Sequence, residues 1–111
     1  MSSAEIVRNM KIKTSTLKRI HKEYVYYQKE TEKEQTRVES MKAAGADPHD
    51  LRQAETVLAE SAMMVPDTRQ RLEAALSDLK SFVADNAQDA ADTEELAAAK
   101  EAAAEVEGIF S

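Results

Sequence analysis

From residue 6 to residue 41, one row of side chains recurs in alternating steps of four and three. It reads Ile6, Met10, Lys13, Leu17, Ile20, Tyr24, Tyr27, Thr31, Glu34, Val38 and Met41, and eight of these eleven are apolar. This spacing keeps one helical face apolar with a 3.5-residue period, the pattern of a coiled-coil seam. A strand cannot use it, because successive strand side chains point to opposite faces. The row therefore predicts helix 1 over about residues 4–43. At 1.5 Å per residue that helix is roughly 60 Å long, so an elongated molecule is expected.

A second row continues the theme: Leu51, Ala54, Leu58, Ser61, Val65, Thr68, Leu72, Ala75, Leu79 and Phe82, again eight apolar of ten. It predicts helix 2 over about residues 48–84. Between the rows lies Ala44-Gly45-Ala46-Asp47-Pro48, a stop followed by a start. Gly45 takes a left-handed conformation without a Cβ clash, Asp47 caps the next helix, and Pro48 suits a first turn whose N–H has no partner. So short a connection makes an antiparallel hairpin, with facing residue numbers summing to about 91. This register sets Thr31 opposite Ser61, Tyr24 near Thr68 and Lys13 close to Asp78, so that polar exceptions in the two seams answer one another. Pro66 falls inside helix 2, where it removes the bond to the Ala62 carbonyl at a cost of about 3 kcal/mol. The seam keeps its phase on both sides of Pro66, which predicts one kinked helix rather than two.

Residues 84–91 are polar and alanine-rich and read as the second connection. Asp92 and Glu95 have the spacing of a capping box. Leu96, Ala99, Ala103, Val106 and Phe110 then repeat the seam on a shorter helix 3, about residues 91–109, although Gln88 to Ala91 also tolerate helix. Alanine supplies 19 of the 47 apolar residues, which suits close-lying helices better than a wide core. With two glycines, two prolines and no alternating apolar runs, the expectation is all-α. The fold expected is an elongated antiparallel three-helix bundle, one domain over residues 1–111.

Composition narrows the chemistry. Without cysteine there is neither a disulfide nor a thiolate metal site. The opening residues lack a secretory pattern and no run reaches the ~18 apolar residues of a membrane span, so the cytosol is the expected compartment, with no membrane partner. His21 and His49 are the two histidines, and no Glu-x-x-His pair, phosphate loop or nucleophile motif accompanies them. Glu94, Glu95, Glu101, Glu105 and Glu107 lack the turn glycine of a calcium loop and read as a solvated face. Met63 and Met64, beside Pro66, read as packing for the bend. No enzyme activity, metal or cofactor is expected.

Charge is divided unevenly along the chain. Residues 1–42 hold ten Lys and Arg against six Asp and Glu, whereas residues 43–111 hold five against fifteen. One reading sets the basic first helix beside an acidic third helix; the other turns basic surface outward to an acidic partner, and the two are compatible. Arg8, Lys11, Ser15, Lys18, Lys22, Val25 and Lys29 form a row displaced from the seam, with Ile12, Arg19 and Tyr26 alongside. A solvated face ordinarily mixes signs as i,i+4 pairs. Here Lys11, Ile12, Lys18, Arg19, Lys22, Tyr26 and Lys29 are the candidate contact residues for an acidic protein. A nucleic-acid partner is disfavoured, since the whole chain carries a formal charge of −6.

The segment Lys11-Ile12-Lys13-Thr14, followed by Lys18-Arg19 and Lys22-Glu23, resembles the opening of the tubulin-binding cofactor A family. Glu60-Ser61-Ala62-Met63-Met64-Val65-Pro66-Asp67, then Arg71-Leu72-Glu73-Ala74 and Asp78-Leu79, is similar to that family's central signature. The resemblance covers about residues 6–83. Two departures stand out: Ala62 where many members have Arg, and Thr68 where many have Cys. The resemblance implies a three-helix bundle that captures β-tubulin after its release from the cytosolic chaperonin. It also implies hand-over to other tubulin-folding cofactors before αβ-dimer assembly, without nucleotide or metal. The competing reading is a coiled-coil structural or adaptor module, and the sequence accommodates either a monomer or a homodimer.

Overall fold

The computed structural model describes residues 1–111 and contains three α-helices and no strand. They are α1 (Ser3–Ala43), α2 (Pro48–Asn86) and α3 (Glu94–Phe110). The chain divides into two compact units: unit 1 comprises residues 1–21 and 70–111, and unit 2 comprises residues 22–69.

Unit 1 packs the first part of α1, the last part of α2 and all of α3. Its core is Ile6, Met10, Leu17 and Ile20 from α1, Leu72, Leu76 and Leu79 from α2, and Leu96, Ala99, Ala102, Ala103 and Val106 from α3. Met10, Leu17, Leu72 and Leu79 have no exposed surface. Burial of side chains of this size contributes about 1.5–3 kcal/mol each, which is what holds the segments together. The alanines of α3 let it settle with little side-chain bulk between the helices. Lys13 and Asp78 approach to 2.8 Å, which fixes α1 and α2 antiparallel with the expected sum of 91. Lys13 Nζ also lies 5.3 Å from the centre of the Phe82 ring. Lys80 pairs with Glu107, joining α2 to α3.

Unit 2 is a two-helix hairpin, residues 22–43 of α1 against residues 48–69 of α2. Tyr24, Val38, Ala54 and Thr68 are buried in it. The turn has the expected chemistry. Gly45 has φ +67°, and Asp47 Oδ2 accepts the His49 N–H at 3.2 Å. Arg69 donates to the Tyr24 hydroxyl at 3.3 Å, one residue beyond the expected Thr68 neighbour. The two polar seam threonines donate their hydroxyls within their own helices. Thr31 donates to the Tyr27 carbonyl at 2.8 Å, and Thr68 donates to the Met64 carbonyl at 2.6 Å. A carbonyl one turn back in the same helix is an acceptor always within reach of a helical threonine hydroxyl.

α2 runs unbroken through Pro66, as one helix. Ala62, whose carbonyl loses its usual donor there, is exposed, so water can satisfy that oxygen. Met64 is half-buried, but Met63 is 67% exposed and does not fill a gap at the proline.

The helix ends also refine the sequence reading. α1 begins after Ser2, whose hydroxyl accepts the Glu5 N–H and donates to the Glu5 carboxylate, a reciprocal cap. α3 begins at Glu94, three residues later than expected, and its cap is Thr93 rather than Asp92. Thr93 Oγ1 accepts the Leu96 N–H at 3.2 Å while donating to the Ala90 carbonyl at 2.7 Å. Asp92 has φ +64°, a left-handed conformation that Asp tolerates better than most residues and that breaks any helix starting earlier.

Glu34 occupies a seam position in unit 2 and is only 7% exposed. Its Oε2 accepts no hydrogen bond, and the Arg37 guanidinium approaches only to 3.6 Å. Replacing this carboxylate with an apolar side chain removes a buried, under-satisfied group. Glu34→Leu should therefore stabilise the fold by about 1–2 kcal/mol in urea denaturation. Pro66→Ala restores a backbone donor at an exposed site and should stabilise by about 1–3 kcal/mol. Helix content by circular dichroism should not fall; a large loss would mean that the proline holds a needed turn.

Candidate partner-binding surface

All seven candidate residues lie on α1, whose opposite face carries the seam, so their side chains are left outside the core. In unit 1, Lys11, Ile12, Lys18 and Arg19 are exposed, Ile12 at 55%. In unit 2, Lys22, Tyr26 and Lys29 are exposed, Tyr26 also at 55%. Tyr26 stands edge-on to Tyr27 with ring centres 5.2 Å apart, so part of its surface is already steadied by a neighbour. Each unit thus carries one large exposed apolar side chain among basic ones on α1, Ile12 in unit 1 and Tyr26 in unit 2.

The row is not uniform within unit 1. Lys11 and Lys18 line a groove of about 300 Å³ with Thr14, Ser15, Glu94, Glu95 and Ala98. α3 thus sets its acidic first turn across from two lysines of α1. This is the first reading of the divided charge, basic α1 beside acidic α3: Lys11 and Lys18 border acidic side chains, while Ile12 is turned to solvent. The part played by Glu94 and Glu95 was hidden in the sequence. The signal was present in the excess of acids after residue 43, but which acid meets which lysine depends on where α3 starts.

Residues 5–103 match the family described as Tubulin binding cofactor A. The chain belongs to that family. Tubulin-folding cofactor A of Arabidopsis thaliana is 51% identical over 105 residues, spanning 94% of this chain and 93% of that protein. Tubulin-specific chaperone A of Homo sapiens is 40% identical over 89 residues, spanning 80% and 82%. Among solved structures, tubulin folding cofactor A from Arabidopsis thaliana superposes with a TM-score of 0.84 at 50% identity, covering 95% of this chain and 98% of that one. Human tubulin chaperone cofactor a gives a TM-score of 0.78 at 36% identity, covering 92% and 98%. These relatives carry the names of chaperones and folding cofactors, not of enzymes.

Within the family signature, Thr68 is fully buried and spends its hydroxyl on its own helix, whereas Ala62 is exposed. No group of three or more His, Asp or Glu side chains is placed to hold a metal ion, and no helix is long and apolar enough to cross a membrane. Chelator treatment should leave the melting temperature unchanged; a clear fall would reveal a metal-dependent fold.

Proposed function

We propose that this chain captures β-tubulin after its release from the cytosolic chaperonin and holds it in the cytoplasm ahead of αβ-dimer assembly, handing it to other tubulin-folding cofactors. The observation that carries this reading is the family match over residues 5–103, joined to an exposed basic row on α1. The relatives are named for tubulin folding. Capture of this kind needs no bond chemistry. It needs a surface that binds tightly enough to shield the client and loosely enough to release it.

Lys11, Lys18, Arg19, Lys22 and Lys29 supply charge for this contact, and Ile12 and Tyr26 supply apolar area. Peripheral charges act mainly on association rate and salt dependence. Exposed pairs contribute only about 0–1 kcal/mol each, so a single substitution is a weak probe. Lys18→Glu, Arg19→Glu and Lys22→Glu together should weaken β-tubulin binding about tenfold or more at low salt. Wild-type binding should weaken as salt rises, and the variant should melt as a folded helical protein, because none of the three residues is in the core. Undiminished binding by the folded triple variant would remove α1's basic row from the contact. Recovery of filament or adaptor proteins without β-tubulin would favour the structural-module reading instead.

A further inference from the structure

The groove between α1 and α3 in unit 1 has walls of opposite charge. Lys11 and Lys18 form one wall, and Glu94 and Glu95 the other. No lysine in it comes within the 4.0 Å of an ion pair with either carboxylate. Elsewhere in unit 1 lysines do reach across helix interfaces, as Lys13 does to Asp78 and Lys80 does to Glu107. Open space of about 300 Å³ lies between the groove's walls. Each wall is also a like-charge pair, one of lysines and one of glutamates, and each gains from an opposite charge brought in from outside.

We infer that this groove takes a partner segment of mixed charge, with carboxylates toward Lys11 and Lys18 and a basic side chain toward Glu94 and Glu95. A purely acidic segment meets repulsion from the α3 wall, and a purely basic one meets repulsion from the α1 wall. Only a segment bearing both signs is complementary to the whole groove. The lining between the walls suits close approach. Ala98 has a one-carbon side chain, Thr14 already spends its hydroxyl on the Met10 carbonyl at 2.8 Å, and Ser15 offers an exposed hydroxyl. The inference rests on β-tubulin being the client, and it adds α3 to a contact surface otherwise confined to α1.

Two variants of the full chain test it, each measured for β-tubulin binding at low salt beside the Lys18→Glu, Arg19→Glu, Lys22→Glu protein. Glu94→Gln with Glu95→Gln keeps shape and removes the acidic wall. Ala98→Leu fills the groove and leaves every charge in place. Each should weaken binding about three- to tenfold while α3 stays helical by circular dichroism. Unchanged binding by either folded variant overturns the inference. Tighter binding by the double glutamine variant also overturns it, because the α3 acids would then be competing with the client. If the triple charge-reversal protein binds like wild type, the β-tubulin reading through α1 fails, and this inference fails with it. If only the groove variants bind like wild type, that reading stands and the groove alone is excluded.

Discussion

The register of α1 against α2 is the constraint on which everything else in this protein depends. In unit 2 a short turn sets it, where Gly45 reverses the chain and Asp47 opens the next helix. In unit 1 the Lys13–Asp78 pair marks the same antiparallel arrangement, with the fully buried Leu17, Leu72 and Leu79 in the core of that unit. A slip by one heptad would separate that pair and take the seams out of step. The exposed pair itself contributes about 0–1 kcal/mol, so it reports the register more than it creates it. The apolar seams do most of the holding.

A seam occupied along the length of α1 leaves the other side of that helix without a structural task. That is why Lys11, Ile12, Lys18 and Arg19 in unit 1, and Lys22, Tyr26 and Lys29 in unit 2, can be exposed without harming either core. The cost is solubility of exposed apolar surface, and the surrounding positive charge offsets it. α3 divides its faces in the same way: Ala99, Ala102 and Ala103 are buried while Glu94, Glu101, Glu105 and Glu107 are exposed.

Much of this was legible in the residues. The 4-3 rows predicted all three helices, and Gly45, Asp47 and Pro48 predicted the turn and the antiparallel sense. The sum rule placed Lys13 at Asp78. The reading failed where two local options compete. Asp92 and Thr93 are both good capping residues, and the left-handed backbone at Asp92 gives the cap to Thr93. Position across the hairpin also does not dictate hydrogen bonding: Thr31 and Thr68, set opposite Ser61 and Tyr24 by the register, each donate to a carbonyl one turn back in their own helix. Met63 and Met64 were both matched to the proline's bend, and their places on the helix separate them: Met63 is turned to solvent and Met64 is half-buried.

Periodicity is a property of one helix at a time. From it the residues alone dictate the number of helices, the apolar face of each, the sense of the hairpin and a basic row set apart from the seam. They also carry the family, through the Met63-Met64-Val65-Pro66-Asp67 core of α2. Which side chains from different helices share a space is settled only by the packed bundle. The placement of Lys11 and Lys18 across a groove from Glu94 and Glu95 depends on the start of α3 and on how its alanines let it settle in unit 1. No spacing along the chain encodes that distance, because it is set by the bulk of the side chains packed between two helices far apart in sequence.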